Sequence, residues 1–166
     1  MMTQNEINSW ITFLSSLDVD YSCTVLLHRG FSNSKRTENF KEDIRRLLKI
    51  FIRQLNIHFY GTKSTKTKDK YIGPKLTIVP VMENWNLGTD LHFHLHIGNV
   101  PIDDMTEITK RIKHSWEKVP MSESKSNSCL VEKTWNKTGW NKYITKELYS
   151  KNSDCVIRAC KYFCVS

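Results

Sequence analysis

Three histidines alternate with apolar residues in one short stretch of the chain. Between Asp90 and Asn99 the sequence reads Asp-Leu-His-Phe-His-Leu-His-Ile-Gly-Asn, so His92, His94 and His96 are spaced two residues apart. Because side chains of a β-strand alternate between its faces, this spacing predicts a strand with the imidazoles on one face and the apolar side chains on the other. Neutral imidazole is the commonest side-chain ligand of divalent transition metals. The stretch therefore predicts a metal site on one face of a sheet.

A carboxylate is expected to join the histidines from the preceding strand, residues 74–83. A two-residue hairpin turn at Leu87–Gly88 would place Glu83 directly opposite His92, and side chains that face each other across two strands share a face. Glu83, His92 and His94 would then form a two-histidine, one-carboxylate site with open coordination positions. Such a site suits Mg²⁺ or Mn²⁺ when the ion must also bind phosphate oxygens.

The third histidine leaves the ligand pair open. In this register His96 points in the same direction as His94, one step farther along the strand. It therefore either supports the ligands without binding the ion, or it is itself a ligand, in which case His94 and His96 form the pair. The hairpin register favours the pair His92 and His94.

A tyrosine and a lysine lie on a predicted helix that Gly139 opens and that runs from Trp140 to about Ser150. Tyr143 and Lys146 are three residues apart and share a helix face beside the apolar stripe of Trp140, Ile144 and Leu148. A phenol has a pKa near 10, so a neighbouring cation and a polarised phosphate would both favour its attack as a nucleophile. The alternative is that both residues are ordinary surface side chains.

Hydrophobic periodicity predicts the elements that must position these residues. Helices are expected over 3–18, from an N-cap at Thr37 to about 55, and from Asp103 or Asp104 to before Pro120; strands are expected over 21–28, 74–83, the histidine stretch and 128–134. This order predicts an α+β fold with a single antiparallel sheet, helices packed on one face and the other face open for the histidines. Pro80 is expected at a sheet edge or bulge. The chain, 1–166, reads as one domain in which 151–166 is a C-terminal extension.

The charge balance favours a polyanionic partner. The net charge is +8 and the isoelectric point is near 9.3. The lysines that cluster in one polar stretch predict a loop that contacts phosphates: Lys63, Lys66, Lys68 and Lys70, followed by Lys75. The basic residues of the long helix are expected to form a solvated face: Arg45, Arg46, Lys49 and Arg53.

The remaining composition is that of a cytoplasmic globular protein. Five cysteines, an odd number, are most simply read as reduced thiols, with Cys23 and Cys129 inside apolar strands. The sequence has no apolar run of membrane-spanning length and no signal-type N-terminus.

Taken together, these motifs resemble the HUH endonuclease superfamily. His92-Phe93-His94 is similar to its His-hydrophobic-His motif, and Tyr143-Ile-Thr-Lys146 resembles the Tyr-x-x-Lys motif of its single-tyrosine replication initiators. The strand at 21–28 is similar to the family's first, apolar motif, and Glu83 stands where some viral initiators carry an acidic ligand. The third histidine departs from the usual pattern, and no ATPase module follows the nuclease region.

The resemblance implies an RRM-like or ferredoxin-like HUH nuclease fold and a rolling-circle initiator (Rep) that nicks and rejoins single-stranded DNA. It implies Mg²⁺ or Mn²⁺ as cofactor, Tyr143 as nucleophile with Lys146 assisting, and single-stranded DNA or an origin stem-loop as substrate. A host helicase and polymerase would be its partners.

Three alternatives remain. A single-tyrosine transposase of the same superfamily would use the same chemistry on a transposon end. A non-catalytic nucleic-acid-binding module would use the sheet as a platform, with stacking aromatics on its open face. A phosphoesterase without a covalent intermediate would not need Tyr143.

Overall fold

The computed structural model of the chain describes residues 3–28, 38–65, 74–83, 91–123 and 128–134, together with Asn136 and Gly139. The helices are α1 (Gln4–Ser16), α2 (Glu38–Tyr60) and α3 (Met105–Glu117), and the strands are β1 (Tyr21–Leu26), β2 (Thr77–Glu83), β3 (His92–Gly98) and β4 (Cys129–Lys133). A short 3-10 helix, Thr62–Thr65, follows α2. The order of elements agrees with the sequence prediction.

The four strands form one antiparallel sheet in the order β2-β3-β1-β4. After α1, the chain runs β1-α2-β2-β3-α3-β4, which is the βαββαβ succession of ferredoxin-like folds. The predicted α+β class with a single antiparallel sheet is therefore confirmed. β1 and β3 occupy the centre of the sheet, so residues far apart in sequence meet there.

Helices α2 and α3 bury one face of the sheet. The apolar stripe of α2 is buried, and the core-facing side chains of α3 are buried against it. The buried residues include Phe40, Ile44, Leu48, Phe51 and Leu55 on α2 and Ile108, Ile112 and Trp116 on α3. The ring of Trp116 lies 5.0 Å from that of Phe51 and 6.3 Å from that of Phe93, both in edge-to-face geometry. This cluster is the main hydrophobic core, and it holds β3 in place from the side opposite the histidines.

Helix α2 is longer than predicted. Its apolar stripe continues from Leu55 to Phe59, which is 7% exposed, and the helix extends to Tyr60. Gly61 then adopts a φ of +78°, the left-handed conformation that ends many helices and that glycine adopts without strain.

Side-chain caps fix where the other two helices begin. The hydroxyl of Thr3 accepts a hydrogen bond from the N–H of Glu6, whose carboxylate accepts from the N–H of Thr3. Asp104 accepts from the N–H groups of Thr106 and Glu107, so the second of the two predicted aspartates is the N-cap of α3.

The link between α1 and β1 crosses the end of β3. The N–H of Asp20 donates to the carbonyl of Ile97 at 3.1 Å, and the carbonyl of Asp20 accepts from the N–H of Thr134 at 2.7 Å. A Cβ at Gly98 would lie 1.9 Å from the backbone oxygen of Asp18. The absence of a side chain at Gly98 is what allows this close approach.

Two further predictions concern Pro80 and the cysteines. Pro80 lies in β2, which is an edge strand, as its missing N–H predicts. Cys23 and Cys129 are free and buried, with sulfur atoms 3.9 Å apart, and burial raises the pKa of the Cys23 thiol. Within the described residues, no helix is both long enough and apolar enough to cross a membrane.

Candidate metal and nucleic-acid site

The histidine face of the sheet consists of three rows of paired residues. Glu83 pairs with His92, which pairs with Leu26; Val81 pairs with His94, which pairs with Thr24; and Val79 pairs with His96, which pairs with Ser22. The register predicted from the hairpin is therefore confirmed, although the turn at 87–88 lies outside the described residues.

His92 and His94 lie next to each other on this face. Their ring centres are 4.8 Å apart and the ring planes meet at 87°. Two imidazoles that bind one ion through nitrogens about 2.0–2.1 Å from it have ring centres roughly 4.5–5 Å apart when the angle at the ion is about 90–110°. The separation of these two rings therefore fits ligation of one ion.

Thr24 contacts the second of these histidines from β1. Its hydroxyl oxygen lies 2.9 Å from Nδ1 of His94. A neutral His94 that donates from Nδ1 to this hydroxyl presents Nε2 as its unprotonated nitrogen. A metal-binding histidine is commonly oriented in this way by an oxygen acceptor behind it. The sequence analysis did not identify Thr24, because the pairing of β1 with β3 is not visible in local spacing.

Glu83, the predicted acidic ligand, is located through its backbone. Glu83 is the last residue of β2, and its backbone pairs with that of His92. Its side chain is outside what the structure describes. Among the side chains that are described, no three His, Cys, Asp or Glu residues gather as metal ligands.

The prediction of an open histidine face is wrong at its centre. His94 is 4% exposed and His96 is 1% exposed, and Val79 and Val81 beside them are also buried. These two valines, with Leu14 and Val19, are buried hydrophobic residues outside the main core cluster. The sheet therefore has buried side chains on both faces, and only His92 among the three histidines remains partly exposed.

Burial also separates the roles of the histidines. Both ring nitrogens of His96 are buried, whereas His92 at the start of β3 is partly exposed. An ion that must also contact a DNA phosphate needs ligands near the surface. The geometry thus favours His92 with His94 over His94 with His96.

Only one of the other predicted site residues, Lys63, lies in the part of the chain that the structure describes. Lys63 is exposed in the 3-10 helix that follows α2. The other lysines of the predicted phosphate loop (Lys66, Lys68 and Lys70) and the predicted nucleophile and its neighbour (Tyr143 and Lys146) lie outside the described residues. Gly139, at the predicted start of the last helix, is helical, and its N–H donates to Oδ1 of Asn136 at 2.9 Å.

The basic face predicted for α2 is present. Arg46, Lys49 and Arg53 are exposed, and Arg45 is partly buried and pairs with Glu42 one turn earlier. These side chains lie on a helix that packs against the face of the sheet opposite the histidines. They are therefore a solvated surface separate from the candidate metal site.

The comparisons with known proteins give no relative for this chain: no protein-family model, no curated protein and no solved structure matches it.

Proposed function

We propose that the protein is a metal-dependent, site-specific single-stranded DNA endonuclease and ligase of the HUH type, which initiates rolling-circle replication of a plasmid, phage or virus. The observation that carries the proposal is the contact between His92 and His94, at 4.8 Å between ring centres, in a register that pairs Glu83 with His92. Two imidazoles and a carboxylate are a donor set suited to Mn²⁺ or Mg²⁺.

The residues present fit such an ion. His92 and His94 would hold it, with Glu83 as the carboxylate ligand and Thr24 orienting His94 through the 2.9 Å contact. When bound, the ion supplies Lewis-acid polarisation of the scissile phosphate. The net charge of +8 favours a DNA substrate, and Lys63 with the lysines that follow it supplies phosphate contacts.

The covalent step belongs to the tyrosine in this proposal. The phenol oxygen of Tyr143 attacks phosphorus, the bond from phosphorus to the 3′ oxygen breaks, and the phenolic proton is transferred to the leaving oxygen. The products are a 5′-phosphotyrosine and a free 3′-hydroxyl. Lys146 orients the phosphate and stabilises its charge. Because the phosphodiester is exchanged rather than hydrolysed, the 3′-hydroxyl can reverse the reaction and rejoin the strand without ATP.

The experiment incubates the full chain with labelled single-stranded DNA, including candidate origin stem-loops, in Mn²⁺ and in EDTA. We expect a protein–DNA adduct that survives denaturation, forms in Mn²⁺ and is absent in EDTA. Tyr143→Phe should abolish the adduct, while the matched control Tyr149→Phe should retain it.

The outcomes separate this proposal from its alternatives. Metal-dependent cleavage without any adduct would indicate a phosphoesterase, and DNA binding without cleavage would indicate a binding module. An adduct that persists in Tyr143→Phe would assign the nucleophile to another tyrosine. Cleavage confined to transposon-end hairpins would assign the chemistry to a transposase.

A further inference from the structure

A second pair of histidines lies on the helical side of the molecule, far in sequence from the first. His58 is in the last turn of α2 and His114 is in the last turn of α3. Their ring centres are 4.9 Å apart and the ring planes are tilted by 52°. The two rings belong to different helices, so their approach depends on the packing of α2 against α3.

The ring of His58 is held in one orientation by a chain of hydrogen bonds. The hydroxyl of Ser115 donates to the carbonyl of Arg111 at 2.7 Å, which uses its only proton. The same oxygen lies 2.6 Å from Nδ1 of His58, so Nδ1 carries the proton and donates to it. The neutral His58 ring therefore has its lone pair on Nε2.

The ring of His114 has an acidic neighbour at the equivalent atom. Oε2 of Glu117 lies 3.6 Å from Nδ1 of His114, which is beyond hydrogen-bond distance. The side chains of His114 and Glu117 are 50% and 66% exposed. The ring of His58 is therefore the one that a hydrogen bond at Nδ1 orients, as in many metal sites, and the ring of His114 has a carboxylate nearby.

The packing of the two helices at this point is fixed by an arginine. Arg111 donates from one guanidinium nitrogen to the carbonyl of His58 at 2.8 Å and from another to the carboxylate of Glu107 at 2.8 Å. The bond to His58 connects the end of α2 to α3, and the carboxylate of Glu107 pairs with the positive charge of Arg111. The histidine pair therefore rests on a fixed junction between two helices.

We propose that His58 and His114 bind a zinc-class transition-metal ion, Zn²⁺, Cu²⁺ or Ni²⁺, and that the ion links α2 to α3. The separation of 4.9 Å lies in the range of roughly 4.5–5 Å that two imidazoles adopt around a single ion with nitrogens about 2.0–2.1 Å away. Imidazole ligands favour these metals over Mg²⁺, and the exposed side of the pair leaves room for water or an outside ligand.

This site is independent of the proposed nuclease site. The strands place His92 and His94 on one face of the sheet, whereas α2 and α3 pack on the other. An ion bound by His58 and His114 cannot contact a phosphate held at His92. Its effect would be to hold together the ends of the two core helices.

The experiment is a calorimetric titration of the full chain with Zn²⁺, followed by thermal unfolding with and without the ion. We expect His114→Gln to weaken the binding of one equivalent of Zn²⁺ by at least tenfold. Ser115→Ala should keep the equivalent but weaken it by roughly tenfold, the effect typical of removing the group behind a ligand. The rise in melting temperature that Zn²⁺ produces should shrink in both variants.

Two controls make the result decisive. His28→Gln, at an exposed histidine outside both pairs, should bind Zn²⁺ as the wild type does. His92→Ala should remove a different equivalent, so failure of the nuclease site and failure of this one give different results. Unchanged Zn²⁺ stoichiometry and affinity in His114→Gln would overturn the proposal. His114 is half exposed on a surface helix, so this variant is expected to fold.

Discussion

The hydroxyl oxygen of Thr24 lies 2.9 Å from Nδ1 of His94, across the pairing of β1 with β3 at the centre of the sheet. The two residues are 70 positions apart in the sequence. The contact links the orientation of a candidate metal ligand to a strand that contributes no ligand itself. It therefore makes a prediction that separates orientation from ligation.

Thr24→Val should weaken Mn²⁺ binding by roughly 10–100-fold, because the hydroxyl that accepts from Nδ1 of His94 is lost. Valine keeps the branched shape of threonine, so the packing around His94 should not change. Thr24→Ser, which keeps the hydroxyl, should bind within a few-fold of the wild type. Affinity is measured by Mn²⁺ titration followed by electron paramagnetic resonance. Equal affinity in Thr24→Val and wild type would show that Thr24 does not position a ligand.

The ligand set gives a second prediction. His92→Ala and His94→Ala should each abolish DNA cleavage, whereas His96→Ala should retain measurable activity because His96 lies behind the pair with both ring nitrogens buried. Single-turnover cleavage in Mn²⁺ is the measurement, with circular dichroism to check folding. A metal-soaked crystal with the ion between His94 and His96 would contradict this ligand assignment.

Binding should be separable from chemistry. Replacing Lys63, Lys66 and Lys68 by Ala should weaken single-stranded DNA binding and flatten the slope of log affinity against log salt by up to about two units, since each phosphate contact contributes roughly 0.7. Cleavage at saturating DNA should be nearly unchanged, because the ligand set contains none of these lysines.

The matched control replaces Lys110 and Lys113, which are exposed on α3, by Ala and should leave the salt slope at its wild-type value. An unaltered slope in the variant with all three loop lysines replaced would mean that DNA follows another path. Arg46 and Arg53 of α2 would then be the next residues to test.

Gly98→Ala should destabilise the fold by about 1–3 kcal/mol or more, because its Cβ would meet backbone atoms that cannot rotate away. The comparison is Gly61→Ala, where nothing lies within 4 Å of the new Cβ and the cost of about 1 kcal/mol comes from the positive φ alone. Urea unfolding of both variants gives the two free energies. A smaller loss at Gly98 than at Gly61 would contradict the close approach of Asp18.

Local patterns predicted much of this fold, for identifiable reasons. The stripe of α2, the cap at Asp104 and the alternation of β3 are each properties of a few neighbouring residues. The pairing of Glu83 with His92 was predicted by assuming a two-residue turn, because the length of a hairpin turn fixes the register of its strands. These are the features that one stretch of sequence can determine.

The features that the sequence analysis missed depend on distant segments. Thr24 reaches His94 only because β3 lies beside β1 rather than at the edge, which is a property of strand order. The burial of His94 and His96 depends on which segments pack over that face of the sheet. The alternation of histidine and apolar residues shows only that the two faces of β3 differ. The extra turn of α2 extends the apolar stripe to Phe59, but the spacing of apolar residues alone does not predict where a helix ends.

Pro80 has a consequence for how the protein behaves in concentrated solution. β2 is an outer strand of the sheet, and edge strands with a full set of backbone donors recruit strands from other molecules. At Pro80 the backbone has no N–H to donate, so β2 is a weaker template for a strand from another copy than an edge strand with every donor present. The histidine strand lies directly behind this edge. A proline in the middle of β2 thus makes the sheet edge beside the histidine strand a poorer template for pairing.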